Sequence, residues 1–256
     1  MRLVALTTDF GLTDPFVGIM KGVIASRAPE ARVVDVTHGI PSQDVLAGAL
    51  VLQHAVPYFP PDTIHVAVVD PGVGSARRGL CIQTSRALLV GPDNGLLSLA
   101  APPADVRRVV HLAEKRYFLP RRGTTFDGRD VFAPVAAALA TGTPPDALGP
   151  TLADMQRLEL PAPTRDARGL RGQVVYVDRF GNLVTNVPAD ALPAGGATIA
   201  IGSARIRGVS SSYADGRPGD LVAVRNSWEL LEIALVRGSA RSHLGVDVGE
   251  TVIVEG

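Results

Sequence analysis

The chain has 256 residues, of which 46% are hydrophobic and 20% charged, and its formal net charge is zero. This length allows one large domain or two ordinary ones with a sizeable core. The charge balance argues against nucleic acid or an anionic membrane as a partner, and the single Cys81 excludes an intramolecular disulfide. No apolar run approaches the roughly 20 residues that span a bilayer, and the N-terminus lacks a signal-peptide pattern, so we expect a cytoplasmic protein.

Strand-like and helix-like segments alternate along residues 1–160. The predicted strands are RLVALTTDF, RVVDVTH, TIHVAVVDPGVG, GLCIQTS and ALLVGPDNG, and the predicted helices are PFVGIMKGVIASRAP, SQDVLAGALVLQHAVPYFP and the segment after FDGRD. We expect Ser42 to cap the second helix and Asp130 the third. The alternation predicts an N-terminal α/β sandwich domain, in which helices cover both faces of a mostly parallel sheet.

The pattern changes after residue 160. Residues 161–170 are rich in proline and polar side chains, which is typical of a linker. Residues 171–256 contain short strand-like runs separated by turns: GQVVYVDRFGNLVTNVP, ATIAIGSARIRGV, GDLVAVRNSWELLEIALV and ETVIVEG. This half therefore predicts a small antiparallel barrel or sandwich.

Three predicted strands of the first half end in an aspartate beside glycine or proline, namely Asp9, Asp70 and Asp93. In an open parallel sheet, ligands bind beyond the carboxyl ends of the strands. A carboxylate there can accept hydrogen bonds from both hydroxyls of a ribose, and glycine lets the backbone approach a ligand closely. Each aspartate alone could equally serve a turn or a cap, but three at one edge favour a binding site.

Several well-known signatures are absent from the sequence. There is no Walker-type phosphate loop, no G-x-G-x-x-G after the first strand and no G-x-S-x-G elbow. The five histidines are scattered without an i, i+4 pair, and His65 alternates within a strand as a core or surface residue does. These absences argue against a dinucleotide, a zinc centre and a serine triad, and leave open an aspartate-only magnesium site.

Seven segments in order carry a family resemblance: TTDFGLTDPFVGIMKG, VVDVTHGIPSQDVLAGALVL, VAVVDPGVGSARRGL, LLVGPDNGLL, FDGRDVFAPVAA, DRFGNLVTNV and NSWELLEIALVRGSA. Together they resemble the S-adenosyl-L-methionine (SAM) hydroxide adenosyltransferases, or SAM hydrolases, relatives of the enzymes that attach fluoride or chloride to the same carbon. The resemblance implies an N-terminal α/β domain, a C-terminal β-barrel and a homotrimer. It also implies that each site lies between one subunit's N-domain and its neighbour's C-domain.

The family's reaction is nucleophilic substitution at C5′ of SAM, in which water or hydroxide attacks, L-methionine leaves and adenosine forms. The leaving group is a neutral thioether, so no general acid is required, and the resemblance implies neither metal nor cofactor. A desolvated site favours attack of hydroxide on a cation, because the charges annihilate. Holding water, C5′ and sulfur in line can lower the barrier by roughly 7–11 kcal/mol.

The resemblance assigns three residues of the first half. Asp9 matches the carboxylate that takes the ribose hydroxyls, and Asp70 and Arg77 match two members of a water-activating Asp-Arg-His set. Since a nearby arginine stabilises an ionised aspartate and lowers its basicity, we expect Asp70 to orient the water first and to act as a base second. The halogenating relatives lack an acidic residue at this position, and an anionic Asp70 would repel a halide, so water is the expected nucleophile.

The second half supplies the remaining matches to the family's pocket. Asp178 and Asn182 match positions that hold the methionine amine and the adenine. Ser227, Glu232 and Val236, the last through its backbone, match the rest of the substrate-binding residues. Without the resemblance, the segment DRFGN is equally typical of a hairpin turn.

The third member of the water-activating set departs from the family pattern. The family has Phe-His-Gly-Arg-Asp, whereas this chain has Asp127 in place of histidine. An aspartate can accept a hydrogen bond from water or from Arg77, but the neutral imidazole is lost. We expect Arg129 and Asp130 to pair or to cap the following helix.

The departure at Asp127 leaves three functions open. The first is a SAM hydrolase. The second is a SAM or adenosine binder with little turnover, such as a sensor or buffer, and the third and weakest is a metal-dependent nucleotide hydrolase. The expected partners are the small molecules SAM and adenosine. The sequence leaves open the rate, the physiological purpose and the tolerance for halide or other nucleophiles.

Overall fold

A computed structural model describes residues 2–120, 123–193 and 196–256. The chain divides into two compact units, Met1–Leu158 and Glu159–Gly256. Helices within these described ranges are too short or too polar to traverse a lipid bilayer.

The first unit is built from seven strands and three helices. The strands are β1 (Leu3–Thr8), β2 (Arg32–Thr37), β3 (Thr63–Val68), β4 (Gly79–Thr84), β5 (Ala87–Pro92), β6 (Val106–His111) and β7 (Thr151–Leu152). The helices are α1 (Phe16–Arg27), α2 (Val45–Ala55) and α3 (Ala133–Ala140), the last preceded by a π-helical turn over Gly128–Phe132.

The first unit has a mixed sheet in the order β2-β1-β3-β5-β4-β6-β7. The four strands from β2 to β5 are mutually parallel, and the pairs from β5 to β7 are antiparallel. The predicted α/β class is confirmed. The β4–β5 pair is antiparallel because only Ser85 and Arg86 connect the two strands, and so short a connection can join only antiparallel strands.

Helices cover both faces of this sheet. Buried residues of α1 and α3 share one core cluster with Val4 and Leu6 of β1 and Ile64 of β3. On the other face, Gly48 of α2 lies close to Val69, which immediately follows β3. Because side chains alternate along a strand, Val69 points to the opposite face from the last residue of β3. A Cβ at position 48 would lie 2.8 Å from a Leu96 methyl carbon, so α2 packs too closely here for a larger side chain.

The caps of two helices differ from the sequence prediction. Asp44, rather than Ser42, caps α2, because the Asp44 carboxylate accepts a hydrogen bond from Ala47 N at 2.9 Å. Asp130 lies inside the π-helical turn and forms no cap. It pairs instead with Arg129, whose Nε is 2.6 Å from Asp130 Oδ1. Pairing was one of the two expectations for Arg129 and Asp130.

The second unit is an antiparallel barrel-like sheet in the order β12-β11-β15-β9-β10-β14-β13. Its elements are β8 (Thr164–Asp166), β9 (Gly169–Val177), β10 (Leu183–Pro188), β11 (Thr198–Ile201), β12 (Ala204–Arg207), β13 (Leu221–Arg225), β14 (Leu230–Leu235), α4 (Ala240–Leu244) and β15 (Thr251–Glu255). A bridge between Ser210 and Val224 brings the region after β12 to β13, so the barrel is nearly closed. Its core consists of inward-facing aliphatic residues such as Val174, Leu183, Ile199, Ile233 and Val252.

The segment predicted as a linker, residues 161–170, contains the short strand β8. This strand pairs with the start of β9, through Thr164 with Arg171 and Asp166 with Gly169. Position 169 requires glycine, because a Cβ there would lie 2.1 Å from the carbonyl oxygen of Val254. The segment is therefore paired with the second unit from Thr164 onward.

One histidine is an unusual member of the core of the first unit. His65, in the middle of β3, is 1% exposed, and its ring meets the Phe59 ring edge-to-face at 5.0 Å. Among the described residues, neither ring nitrogen has a hydrogen-bond partner. Burial lowers the pKa of His65 to about 4, so the folded state holds a neutral ring.

This burial predicts a pH-dependent stability. The unfolded chain binds a proton at His65 near pH 6.5, whereas the folded chain binds it only near the pKa of about 4, so the free energy of unfolding should fall as pH drops between these values. The full difference corresponds to about 3 kcal/mol. His65→Leu should flatten this part of the curve in urea unfolding measured from about pH 7 to pH 4. An equal slope in both proteins would contradict the assignment.

Candidate active site

A cavity of about 360 Å³ lies at the carboxyl ends of β1 and β3 in the first unit. Its wall contains three carboxylates, those of Asp9, Asp70 and Asp127. The other lining residues are Phe10, Phe16, Ser42, Gln43, Val68, Pro71, Val73, Thr125, Phe126 and Gly128. The cavity therefore lies where an open sheet of this kind binds ligands.

Arg77 joins two of these carboxylates. Its Nε donates to Asp70 Oδ1 at 2.9 Å and its Nη2 donates to Asp70 Oδ2, so the pair is bidentate. The same Nη2 donates to Asp127 Oδ2 at 2.7 Å. The structure thus brings together the three residues that the sequence placed in one set, although 50 positions separate Arg77 from Asp127.

A glycine-containing turn after β3 allows Arg77 to fold back onto Asp70. Val73 N donates to Asp70 O, and Ser75 N donates to Gly72 O. Gly74 adopts φ 82°, and a Cβ there would lie 2.8 Å from Thr124 O. A residue with a side chain at position 74 would therefore push apart the two loops that carry Asp70 and Asp127.

The three charged groups are nearly removed from solvent. The exposed fractions of the side chains are 5% for Asp70, 7% for Asp127 and 11% for Arg77. Burial is the main cause that raises the pKa of Asp70; Arg77 opposes this shift and the charge of Asp127 adds to it. Arg77 therefore serves as a shared cation for both carboxylates.

Arg77 itself is not among the residues that line the cavity. Its guanidinium lies 5.4 Å from the centre of the Phe132 ring, in the core beneath the π-helical turn. The cavity wall therefore presents carboxylate oxygens, and the arginine holds them in place from the protein side.

Asp9 follows β1 and is half-buried on the cavity wall. Its Oδ2 accepts a hydrogen bond from Gln43 N at 2.8 Å. Gln43 has φ 65°, a left-handed conformation that is uncommon for residues other than glycine. Oδ1 makes no hydrogen bond to a described residue, so it can accept from a ligand.

The third strand-end aspartate, Asp93, does not belong to the cavity. It is buried, it accepts from Arg78 Nε at 2.7 Å, and its other oxygen accepts from Gln156 N at 2.7 Å. Arg78 also pairs with Asp154. Asp93 therefore binds the last segment of the first unit to the sheet. This is a structural role, such as a single aspartate often has in turns and caps.

Three phenylalanines form the apolar side of the cavity. Phe10, Phe16 and Phe126 contact one another edge-to-face, with ring centroids 5.2 to 5.9 Å apart. Phe16 is 40% exposed, and the neighbouring Leu12 is 76% exposed. The rim of the cavity thus carries apolar surface that faces away from the first unit's own core.

A second cavity, of about 590 Å³, lies in the second unit. Its lining residues are Asp178, Phe180, Asn182, Tyr213, Leu235, Val236, Arg237 and Gly238. The Asp178 carboxylate accepts hydrogen bonds from Phe180 N, from Asn182 N and from Asn182 Nδ2, all at 2.8 to 2.9 Å. The segment DRFGN is therefore a turn, as its local sequence suggests, and it also forms a cavity wall.

The other residues that the family pattern assigned to the second unit occupy different positions. Ser227 is exposed and Glu232 is buried, and neither lines the cavity. Val236 lines it, but its N–H already donates to Asp220 O and its carbonyl accepts from Gly219 N. The backbone donor of Val236 is thus used within the barrel.

Sequence reasoning missed Tyr213, which lies on the wall of the second cavity and is 47% exposed. Its hydroxyl donates to Glu232 Oε1 at 2.5 Å, and Asn226 Nδ2 donates to Glu232 Oε2 at 3.2 Å. Burial raises the pKa of Glu232, although both hydrogen bonds oppose the shift. No motif marks Tyr213, which lies in the turn SSSYADG.

Within residues 2–120, 123–193 and 196–256, no group of three or more histidine, cysteine, aspartate or glutamate side chains has the geometry to hold a metal ion. Each of the three cavity carboxylates instead accepts a hydrogen bond, Asp9 from Gln43 and the other two from Arg77.

Comparison with known proteins identifies the family. Residues 4–149 match the SAM hydroxide adenosyltransferase N-terminal domain, and residues 172–253 match the corresponding C-terminal domain. The chain belongs to the SAM hydroxide adenosyltransferase family. The predicted resemblance is therefore confirmed, and it covers both units.

Curated relatives of this family match along the whole chain. An (R)-S-adenosyl-L-methionine hydrolase from Thermus thermophilus is 42% identical over 98% of this chain and 99% of its own length. One of the same name from Salinispora arenicola is 41% identical over 98% and 97%. A fluorinase from an Actinoplanes species is more distant, at 26% identity over 72% of this chain and 71% of its own.

Solved structures agree with the family assignment. A conserved protein from Thermotoga maritima, described as uncharacterized, has a TM-score of 0.90 at 32% identity and covers 99% of this chain and 100% of its own. A conserved hypothetical protein from Thermus thermophilus has a TM-score of 0.82 at 41% identity, with the same coverage. Both units of the adenosyltransferase fold are thus found in experimental structures.

Proposed function

We propose that this protein hydrolyses S-adenosyl-L-methionine at C5′ and releases adenosine and L-methionine. The observation that carries this function is the sequence similarity to (R)-S-adenosyl-L-methionine hydrolases, which extends over 98% of the chain at 40–42% identity. The cavity with three carboxylates supplies the matching chemistry. A binder with little turnover and a metal-dependent nucleotide hydrolase are not favoured by these relatives.

Asp70 and Asp127 hold the attacking water in this proposal. Each carboxylate oxygen has two lone-pair sites, so an oxygen that accepts from Arg77 can also accept from water. Water in this position has its own lone pairs free to attack C5′. The C5′–O bond forms as the C5′–S bond breaks, the electron pair of that bond goes to sulfur, and the proton of the water passes to Asp70 or to solvent.

Arg77 positions the two carboxylates and does not need to touch the water. A guanidinium with three hydrogen bonds to two carboxylates fixes their planes relative to each other. Such positioning is the part of the barrier reduction that a rigid protein supplies best. Lysine at position 77 offers one point charge and lacks this fixed geometry.

The remaining site residues bind the substrate. Asp9, with one carboxylate oxygen open to the cavity, takes the ribose hydroxyls. Asp178 and Asn182 take the methionine amine and the adenine, and Val236 forms part of the same wall. Ser227 and Glu232, which do not line that cavity, act through neighbouring residues or in the assembled protein.

The charge of the first cavity supports water as the nucleophile. The carboxylates of Asp70 and Asp127 on the cavity wall repel fluoride or chloride, whereas water carries no charge and can donate hydrogen bonds to both carboxylates. The sulfonium of the substrate is a cation, so the same charge attracts it. Neither step requires a metal ion.

The proposed assembly is a homotrimer in which the cavity of one subunit's first unit is completed by a neighbour's second unit. Exposed apolar residues at the rims of both cavities support such contacts. Phe16, which is 40% exposed, lines the first cavity, and Phe180, which is 76% exposed, lines the second. Exposed apolar patches of this kind commonly mark interaction surfaces.

Isotope labelling tests the reaction. Purified protein with SAM and a chelator should give adenosine and methionine in equal amounts, and in heavy-oxygen water the label should appear in the 5′-hydroxyl of adenosine. Mass spectrometry of adenosine reads this directly. Adenosine without the label, products of another bond cleavage, or a requirement for added metal would each contradict the proposal.

Subunit mixing tests the assembly. Asp70→Asn and Asn182→Ala should each be nearly inactive alone, because one loses the water-holding carboxylate and the other the substrate contact in the second unit. Mixed subunits should regain partial activity, since some interfaces then combine two intact cavities. Light scattering should show a trimer, and a fully active monomer is the result that excludes this arrangement.

Asp127 offers a test of the water-holding cluster. Asp127→His should raise the hydrolysis rate near neutral pH, because it restores a ring that can donate or accept beside the water and removes one negative charge. Asp70 must be ionised to accept a proton, and the charge of Asp127 contributes to its raised pKa. The acidic limb of the kcat/KM profile should therefore move to lower pH in the variant.

Asp127→Asn is the matched control, since it removes the charge without adding a ring. It should shift the acidic limb in the same direction but leave the plateau rate near or below that of the wild type. If Asp127→His is inactive while Asp127→Asn behaves like the wild type, Asp127 serves only the helix entry and the cluster is a pair.

A further inference from the structure

The loop between β2 and α2 holds the segment that carries Asp9. His38, just after β2, is 5% exposed, and its Nδ1 lies 2.8 Å from Thr8 Oγ1. The same Thr8 oxygen accepts from Phe10 N at 3.2 Å. The backbone adds a further contact, because Gly11 N donates to His38 O at 2.8 Å. Residues on both sides of Asp9 are therefore fastened to one buried histidine.

The ring of His38 lies between Thr8 and Asp35. Since Thr8 Oγ1 already accepts from the backbone, its hydrogen can be donated to His38 Nδ1 when the ring is protonated at Nε2. In that tautomer Nε2 carries the hydrogen, and this nitrogen lies 3.0 Å from Asp35 Oδ1. Asp35 is in turn paired with Lys21 at 2.6 Å.

A second contact from the same loop reaches Asp9 itself. Gln43 N donates to Asp9 Oδ2 at 2.8 Å, and Gln43 itself adopts φ 65°. The next residue, Asp44, caps α2, so the loop is anchored at its far end as well. A non-glycine residue persists in this conformation when the surroundings determine it.

We infer that His38 and the left-handed Gln43 are positioning residues that aim Asp9 at the ribose of the substrate. His38 acts through Thr8 on the backbone of the β1–α1 loop, and Gln43 acts on the carboxylate. The inference rests on the proposed role of Asp9 and extends it to residues outside the cavity chemistry. Held in this way, the free oxygen of Asp9 faces the ligand before binding, which reduces the ordering that binding requires.

A comparison of two nucleosides isolates the contact between Asp9 and the ribose. Adenosine carries both ribose hydroxyls, and 2′,3′-dideoxyadenosine carries neither. The dissociation constant of 2′,3′-dideoxyadenosine divided by that of adenosine, measured by calorimetry on the full chain, reports the hydroxyl contact. Effects on adenine binding cancel in this ratio. For the wild type we expect a ratio of at least about 10, because hydrogen bonds to a charged group are involved.

Asp9→Asn and the wild type test the role of Asp9, and the other variants test the inference. A wild-type ratio near one would refute ribose binding by Asp9, independently of His38. Given a high wild-type ratio, His38→Leu should lower it most of the way to that of Asp9→Asn. His38→Asn, whose amide can reach the Thr8 hydroxyl from near the Nδ1 position, should restore most of it.

Two further variants keep the test decisive if His38→Leu fails to fold. Thr8→Val removes the same hydrogen bond with a side chain of nearly the same shape, and it should lower the ratio similarly. Gln43→Val, which disfavours positive φ, should also lower the ratio, whereas Gln43→Asn tolerates this conformation and should not. Variants that lose thermal stability but keep the wild-type ratio would show that the loop is merely structural and overturn the inference.

Discussion

The candidate active site depends on one cation shared by two buried carboxylates. Without Arg77, the carboxylates of Asp70 and Asp127 would lose the cation that they share, in a setting that exposes only 5% and 7% of their side chains. Removing one member of such a group usually costs several kcal/mol, because the remaining charges stay buried. Arg77 therefore stabilises the fold around the cavity and sets the geometry of its wall at once. The turn through Gly74 and the π-helical turn that starts at Gly128 both serve to bring these groups together.

The fold class and the family were within reach of the sequence, and both are confirmed. Alternating strand and helix patterns predicted the α/β unit, and short strands with turns predicted the barrel. The mixed character of the first sheet was missed, because the pattern of a buried strand does not reveal the direction of its neighbours. Only the two-residue connection between β4 and β5 determines it.

The sequence predicted those residues of the candidate site that lie in recognisable motifs. The strand-end rule found Asp9 and Asp70, but it also selected Asp93, which the structure pairs with Arg78 away from the cavity. Sequence spacing cannot tell these cases apart, since the difference lies in which arginine folds back onto which aspartate. Tyr213 and His38 were missed for a similar reason. Their partners, Glu232 and Thr8, are 19 and 30 positions away, and only the packed barrel and sheet bring them into contact.

The family resemblance implies histidine at position 127, and the aspartate present there changes the character of the cavity wall. A neutral histidine brings no charge to this wall, whereas an ionised aspartate adds a negative one. The proposed substrate, SAM, is a sulfonium cation, and its positive charge disappears as the neutral thioether leaves. An extra negative charge therefore stabilises the bound substrate more than the transition state, and tighter ground-state binding alone does not accelerate the chemical step. In the proposed mechanism, the same charge also repels halides. On this proposal, Asp127 favours retention of SAM and the choice of water as nucleophile over speed.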